Sequence, residues 1–226
     1  MNEIKTESLF QFYLNAKQQV IDAGYAEEID WEADMQFERV DEHFFLMQVA
    51  WVILCSGFRA ETVKARWQQI SEAFLGFYVA LDIVECSRWC FEEAIKVFGH
   101  RDKINAIIEV AEHVNEVGID SIKANILENG PTWLTRYRFI GKITCYHLAR
   151  NLGLDCVKPD RHLVRITEAW GYDEPLTMCK AIAAVTGDRL GVVDLVLWRW
   201  AESYPRRKHG SLQEAMEGAM TCQNGK

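Results

Sequence analysis

The sequence is poor in basic residues and in proline, and it contains no long apolar run. It holds 25 Lys and Arg against 33 Asp and Glu, which gives a net charge of −8. A basic domain is the usual footprint of indiscriminate nucleic-acid binding, so this balance counts against that class of protein. Only 4 prolines and the lack of low-complexity segments predict a folded, helix-rich chain.

Two further absences bear on the location of the protein. The longest apolar run, residues 44–55, is too short to span a bilayer and contains Gln48. The first residues lack the successive basic, apolar and small-residue regions of a signal peptide. We therefore expect a cytoplasmic protein without a membrane partner.

The 7 cysteines have irregular spacing, and no two of them form a Cys-x-x-Cys pair. An odd number of scattered cysteines is typical of reduced thiols rather than of a disulfide framework. Structural zinc sites need closely spaced cysteine or histidine ligands. We therefore expect no metal site.

Charge is unevenly distributed along the chain. Residues 1–50 contain eleven Asp and Glu against three Lys and Arg, whereas residues 130–165 contain seven Lys and Arg against two Asp. A local basic surface on an acidic protein can bind phosphate, and it can equally be a plain solvated face. Charge alone leaves both interpretations open.

Apolar residues recur at helical spacing in short segments separated by turns, which favours an all-α fold over a parallel sheet. Residues 44–55 are apolar on every side and follow Asp41, a good N-cap, so they predict a helix buried at the centre of a domain. A second helix is predicted over residues 60–74. The acidic segment 26–40 is predicted to be a surface loop.

Residues 131–165 predict a helix, a tight hairpin, a second helix and a loop that leads to a third helix. Pro131 suits a first helical turn, and Gly141 is predicted to take the positive φ that a tight hairpin needs. Gly153 is predicted to end the second helix, and Asp160 to cap the third.

This stretch resembles the signature of the helix-hairpin-helix (HhH-GPD) DNA glycosylase superfamily, which includes endonuclease III and the 3-methyladenine glycosylases. The family pattern is Leu-Pro-Gly-Val-Gly-x-Lys-Thr-Ala, followed after a spacer by Val-Asp-x-His-x-x-Arg. Residues 138–145 match the first half and residues 159–165 the second. The chain departs from the pattern at Phe139, which replaces a hairpin glycine, and at Ile143, which replaces the lysine of lyase-competent members.

The resemblance implies two helical subdomains with a helix-hairpin-helix motif and a central cleft. Residues 44–153 would form a six-helix barrel-like domain that ends in the hairpin, and residues 1–43 plus 154–226 would form the second domain. The family's iron–sulfur cluster should be absent, because Cys222 is the single cysteine near the end of the chain.

The implied activity is that of a DNA N-glycosylase, which flips out a modified base and hydrolyses its glycosidic bond to leave an abasic site. Asp160 would be the catalytic carboxylate, opposing the positive charge that develops on the sugar. Its simpler role is that of a helix N-cap, and the two roles are compatible. Because Ile143 offers no amine, we expect a monofunctional enzyme that acts as a monomer on double-stranded DNA containing a modified base.

The resemblance also suggests residues that contact DNA. The hairpin would bind phosphate through backbone amides and Lys142, and its carbonyls would be the place for a monovalent cation. No other cofactor is expected. The turn after residues 44–55 would supply a wedge that fills the gap left by the flipped base, or it is a plain interhelical turn. The DNA-binding candidates are therefore Gly141, Lys142, Thr144, Arg161, Phe58 and Arg59.

Four residues are candidates for the base pocket: Trp51, Tyr146, Asp194 and Trp198. Aromatic residues in such helices can equally belong to the core, and Asp194 can pair with an arginine instead. The main alternative function is a non-catalytic helix-hairpin-helix DNA-binding protein, and a helical interaction protein is a third. The base stays open between a damaged, especially alkylated, base in repair and a hypermodified phage base, such as a modified cytosine, in antiviral defence.

Overall fold

A computed structural model describes residues 3–203, with side chains from residue 7 to residue 202. Within this range the regular structure is entirely helical, and the predicted all-α fold is confirmed. The α-helices are α1 Glu3–Val20, α2 Ala26–Asp34, α3 Glu42–Cys55, α4 Ala60–Lys64, α5 Trp67–Ala73, α6 Ala80–Glu85, α7 Ser87–Phe98, α8 Arg101–Val117, α9 Ile119–Asn129, α10 Thr144–Asn151, α11 Arg161–Ala169, α12 Pro175–Thr186 and α13 Leu190–Ser203.

Short 3₁₀ turns lie at Phe37–Arg39, Leu75–Phe77 and Pro131–Arg136, and one turn of π-helix lies at Ile21–Tyr25. None of the helices in the described range is both long and apolar enough to cross a membrane.

The chain divides into two compact units. The central unit is Gln36–Leu154, and the terminal unit comprises the described residues on either side of it. The second boundary between the units follows residue 154, one residue beyond the predicted boundary after residue 153. The first boundary follows residue 35, whereas it was predicted after residue 43. Residues 36–43 join the central unit because Lys123 Nζ donates to the carbonyls of Glu38 and Val40, at 2.8 and 2.9 Å.

Helix α3 forms the middle of the central unit. The Asp41 carboxylate accepts from the backbone N–H of Phe44 at 2.8 Å, which is the N-cap that the sequence predicted. Phe45, Val49 and Ile53 along the helix are fully buried. The prediction of a buried apolar helix is therefore confirmed.

Two predictions about local structure were wrong. Residues 60–74 form two helices, α4 and α5, with a break at Ala65–Arg66 rather than one helix. After this break the indole of Trp67 lies against Trp51, with ring centroids 5.3 Å apart. Segment 26–40 is not a loop, because its first nine residues form α2.

Helix α2 is stabilised by a contact that its own sequence does not contain. Arg189 donates to the carbonyls of Glu32 and Met35 at the C-terminal end of the helix. A cation at that end opposes the negative pole of the helix dipole and satisfies orphan carbonyls. Ile29 is also buried, so the acidic segment has one apolar anchor in the terminal unit.

The terminal unit has its own apolar core, to which α1, α11, α12 and α13 contribute. Phe12 of α1 lies between two indole rings, 4.9 Å from Trp200 and 5.7 Å from Trp170 between ring centroids. Tyr13 donates to Asp188 at 2.6 Å across 175 residues of sequence. This core supports the N-terminal end of α11, where Asp160 lies.

Helix α10 is followed, two residues after its end, by a glycine that packs closely on another segment. Gly153 has φ of 86°, and the N–H of Leu154 donates to the carbonyl of Ala149 at 2.9 Å, which is the pattern of a Schellman motif. A Cβ at position 153 would lie 2.8 Å from backbone atoms of Gln36 and Phe37. The glycine predicted as the end of this helix therefore serves both conformation and packing.

We expect Gly153→Ala to lower the free energy of unfolding by more than the cost of a left-handed alanine, about 1–2 kcal/mol, because the backbone of Gln36 and Phe37 must also shift. Urea unfolding followed by circular dichroism measures this change. Gly99→Ala is the matched control, since Gly99 ends α7 at φ of 69° with nothing within 4 Å of the added Cβ. Equal losses in the two variants would contradict the packing role.

Candidate functional site

The hairpin between the 3₁₀ turn at Pro131–Arg136 and α10 has its left-handed residue at Phe139, not at Gly141. Phe139 has φ of 67°, and Gly141 lies outside the positive-φ region. The N–H of Ile140 donates to the carbonyl of Tyr137 at 3.1 Å, which closes a turn with Phe139 in its third position. That position of a type II turn requires positive φ and favours glycine, so the prediction of positive φ at Gly141 was wrong and lay two residues too late.

The other predicted hairpin residues organise the start of α10. The N–H of Gly141 donates to the Thr144 hydroxyl at 2.6 Å, and the carbonyl of Gly141 accepts from the N–H of Cys145 at 2.9 Å. Thr144 therefore ties the hairpin to the helix that follows. Lys142 and Ile143 project from this turn and are exposed.

The predicted wedge turn, Ser56–Arg59, follows α3 directly. Phe58 is 43 % exposed, and its ring packs 5.1 Å from Phe98 and 6.0 Å from His100 between centroids. Arg59 is exposed. The Phe58 ring therefore packs against other rings on one side and is exposed to solvent on the other.

The turn and the hairpin meet, although more than 80 residues separate them in sequence. Ser56 and hairpin residues 139–144 line one open groove of about 470 Å³. Lys142 is among the hairpin residues that line this groove. A groove lined by an exposed lysine suits an anion such as a phosphate.

Lys103, a residue that sequence reasoning missed, lies beneath both segments. Its side chain is 2 % exposed. Its ammonium donates to the carbonyls of Ile53 and Ser56 at the end of α3, the latter at 2.7 Å. The same Nζ lies 5.5 Å from the ring centroid of Phe58 and 4.7 Å from that of Phe139.

The contacts of Lys103 link the turn to the hairpin through one buried cation. Cation–π attraction draws the rings of Phe58 and Phe139 toward the ammonium, while the carbonyls fix its position. Burial lowers the pKa of Lys103 to about 8. The sequence did contain a sign of this burial. Ile107 and Val110 follow Lys103 by four and seven residues, a helical spacing that places the lysine on the buried face of α8.

Trp51 and Tyr146, the base-pocket candidates of the central unit, occupy different surroundings. Trp51 is half-buried and lines a cavity of about 180 Å³ together with Trp67, Met47 and Gln48. Tyr146 is half-buried on α10 and does not line this cavity.

Asp160, the predicted catalytic residue, is the N-cap of α11. Its Oδ1 accepts from the N–H groups of His162 and Leu163, at 2.8 and 3.1 Å. Its Oδ2 lies 3.3 Å from Nζ of Lys158, and the carboxylate side chain is 13 % exposed. The predicted N-cap is confirmed, and the carboxylate has one fixed orientation.

The loop that carries Asp160 is held by Asp194, which lies on α13. Asp194 is 2 % exposed, and its Oδ2 accepts from the backbone N–H of Lys158. The Lys158 ammonium lies 5.6 Å from the ring centroid of Trp198, one helical turn after Asp194. Asp194 therefore positions the loop, and Trp198 supports the lysine beside the carboxylate.

Arg161, the remaining DNA-binding candidate, follows Asp160 and is exposed. Its Nε lies 3.4 Å from Nε2 of His162. The terminal unit thus brings together Asp160, Arg161, Asp194 and Trp198, and the central unit brings together the wedge turn and the hairpin.

Within residues 3–203, no cluster of three or more His, Cys, Asp or Glu side chains could hold a metal ion. The six cysteines of this range are reduced thiols, and Cys222 lies outside the described residues. Burial raises the pKa of the Cys55 and Cys90 thiols to about 11, which makes both poor nucleophiles at neutral pH.

No protein-family model, curated protein or solved structure matches the chain. The geometry of these two groups of residues and the sequence resemblance of residues 138–165 are therefore what point to a function.

We expect Lys103→Met to lower the free energy of unfolding at pH 7 by about 1–3 kcal/mol, because buried carbonyls lose their donor. Chemical denaturation measures this change. Lys96→Met on α7 is the matched control, since Lys96 is exposed and pairs only with Glu93 among the described residues. A loss no larger than that of the control would contradict the linking role of Lys103.

The pH dependence of stability in wild type and Lys103→Met provides a second test. Because the folded pKa of Lys103, about 8, lies below its ordinary value of 10.5, the unfolded chain binds more protons between these limits. The contribution of Lys103 to stability should therefore rise with pH across this window. The stability difference between wild type and Lys103→Met should grow from pH 8 to pH 10, and a shrinking difference would indicate a raised pKa instead.

Proposed function

We propose that the chain is a monofunctional DNA N-glycosylase that flips a modified base out of double-stranded DNA and hydrolyses its glycosidic bond. The observation that carries this proposal is the carboxylate of Asp160. It lies at the N-terminus of α11 with one oxygen bound by two backbone amides and with partial access to solvent. It stands in the sequence Pro-Asp-Arg-His, where the resembled family has its catalytic aspartate.

The arrangement suits the chemistry of base removal. Cleavage of the N-glycosidic bond develops positive charge on the deoxyribose, and the leaving base takes the bonding electrons. A preoriented carboxylate stabilises that cation without reorganising, and it can orient or deprotonate the attacking water. The support for Asp160 from Asp194 and the core of the terminal unit provides this preorientation.

Binding of the DNA backbone is assigned to the groove of the central unit. Exposed Lys142 and hairpin amides would contact phosphate, and the exposed ring of Phe58 or the side chain of Arg59 would fill the gap left by the base. The net charge of −8 makes general DNA affinity weak. An unmodified base would then gain too little to offset unstacking, about a few kcal/mol, so the substrate is a chemically altered base.

One observation favours the alternative, a non-catalytic helix-hairpin-helix DNA-binding protein. The ammonium of Lys158 lies 3.3 Å from Asp160 Oδ2 and offsets part of the negative charge that the glycosylase reaction would use. In a purely structural role, the Lys158–Asp160 pair would simply stabilise the start of α11. The two functions differ in whether the protein releases a base, and for the glycosylase this release depends on Asp160.

We expect wild-type protein to create abasic sites in duplexes that carry a modified base, and Asp160→Asn to reduce this rate by about 100-fold or more. Asparagine also caps helices well, so the fold and DNA binding should persist. The measurement is a screen of duplexes with alkylated bases and of phage DNA with bulky modified cytosines, with abasic sites detected chemically. Asp173→Asn, an exposed carboxylate of the same unit, is the control.

Activity on alkylated duplexes would support a role in repair, which is the substrate class we favour. Activity confined to modified cytosines would support antiviral defence. Equal activity of wild type and Asp160→Asn would contradict the catalytic assignment, and DNA binding without base release on any of these DNAs would establish the non-catalytic alternative.

We expect borohydride to trap no covalent adduct with the DNA substrate, because Ile143 stands at the position of the family's lyase amine and cannot form a Schiff base. Gel electrophoresis of the reduced reaction measures this. Two amines lie close enough in sequence to matter, so Lys142→Ala and Lys158→Met are run in parallel. An adduct lost in either variant would identify the amine and make the enzyme bifunctional.

A further inference from the structure

The cavity between α3 and α5 has walls of two kinds. Trp51 and Trp67 meet edge to face, with centroids 5.3 Å apart and planes at 82°. Gln48 lies one helical turn before Trp51 and adds an amide, and Met47 adds a flexible thioether. All four side chains are half-buried, so the cavity opens to solvent. Rings in a core cluster would be completely buried. The two indoles here form a corner, called the Trp51–Trp67 corner, in which part of each ring stays accessible to solvent.

The amide of Gln48 is held in one orientation by a residue from a distant segment. Asn151, the last residue of α10, donates from Nδ2 to Oε1 of Gln48 at 3.1 Å, across 103 residues of sequence. This bond occupies the carbonyl of Gln48 and leaves its NH₂ group without a hydrogen bond among the described residues. An oriented donor beside an aromatic wall is the arrangement that reads the polar edge of a planar ring.

The second aromatic wall is maintained at a cost in backbone strain. Leu75, Gly76 and Phe77 are three successive residues with positive φ, at 54°, 71° and 62°. Left-handed conformation costs about 1–2 kcal/mol for each residue that is not glycine. The strained turn brings the ring of Phe77 parallel to Trp67, with planes at 15° and centroids 5.9 Å apart. The strain thus fixes the plane of the indole that faces the cavity.

The size of the cavity limits what it can bind. At about 180 Å³ it is smaller than the ~300–1,000 Å³ of sites for drug-sized ligands. A single ring system fits this space, and a whole dinucleotide cofactor does not. Because the mouth is open, a substituent on the ring would project into solvent.

We propose that this cavity is a docking site for a single nucleobase, stacked on an indole of the Trp51–Trp67 corner with a carbonyl or ring nitrogen facing the amide of Gln48. Asn151 is a positioning residue that keeps the amide donor directed at the base. The inference rests on the proposed function in one respect: the nucleobase that binds is taken to be a base displaced from DNA. It concerns binding in the central unit and involves no chemistry at Asp160.

The test uses wild-type protein labelled with ¹⁵N, which carries 8 indole N–H groups. The probes are 2-aminopurine riboside and a single-stranded oligonucleotide containing one 2-aminopurine. Resonances are assigned by Trp→Phe variants one at a time. The expected result is a saturable shift of the Trp51 and Trp67 signals, with Trp89, an exposed indole outside the cavity, unchanged. Shifts confined to other tryptophans, or no saturable shift with either probe, would overturn the proposal.

Quenching of 2-aminopurine emission supplies the second measurement. Trp51→Leu should weaken binding about tenfold through lost stacking, and Gln48→Met should weaken it about fivefold through one lost hydrogen bond. Trp89→Leu is the matched control. Asn151→Leu should keep the stacking but remove the difference in affinity between 2-aminopurine and an isosteric ring that has no hydrogen-bond acceptors. A merely structural role of Asn151 would leave that difference in affinity unchanged. Wild-type affinity in both Trp51→Leu and Gln48→Met would overturn the site.

The outcomes separate this inference from the proposed function. Indole shifts without base release on any modified DNA would retain the nucleobase site and reject the glycosylase. Base release that is lost in Asp160→Asn, together with no saturable shift of the Trp51 and Trp67 signals in wild-type protein, would retain the glycosylase and reject the site.

Discussion

The buried ammonium of Lys103 is the interaction on which the surface of the central unit depends. It satisfies carbonyls at the end of α3 and lies under the rings of Phe58 and Phe139. An unpartnered ammonium in this place would be costly, and the carbonyls of Ile53 and Ser56 would lose a charged donor. One residue of α8 therefore holds together the turn and the hairpin that line the groove.

Lys103 also explains how phenylalanine occupies a position that favours glycine. Phe139 adopts φ of 67° at the third position of its turn, where a side chain costs about 1–2 kcal/mol. Its ring gains contact with the ammonium at 4.7 Å and with His100 at 5.8 Å between centroids. Cation–π attraction of this kind is worth about 0.5–2 kcal/mol, comparable with the strain. The hairpin therefore keeps its turn without the glycine of the resembled family.

The carboxylate of Asp160 shows a different balance of forces. Two amides of α11 and the ammonium of Lys158 surround it, and Asp194 anchors the loop from behind. This support orients the group, as catalysis would require, while Lys158 reduces the net charge that faces an approaching substrate. The same contacts thus serve both the proposed glycosylase and the non-catalytic alternative. Removing the charge of Asp160 while keeping its shape separates the two functions.

Features that depend on a few neighbouring residues were determined by the sequence alone. The caps at Asp41 and Asp160 need only a carboxylate and the amides two or three positions on, and the end of α10 needs only a glycine at residue 153. The apolar composition of residues 44–55 likewise determined their burial. The all-α class follows from these local signals, because residues close in sequence determine where each helix begins and ends and which of its sides is apolar.

Other features were decided by contacts between distant segments, which no local pattern contains. Helix α2 needs Arg189 at its end, and the left-handed Phe139 needs Lys103 beneath it. The amide of Gln48 is oriented by Asn151 from 103 residues away. In each case local propensity is weak or unfavourable, and the outcome depends on which partner the tertiary fold brings within a few ångströms. Sequence spacing therefore located the carboxylate and the hairpin, whereas packing alone decided what holds each of them in place.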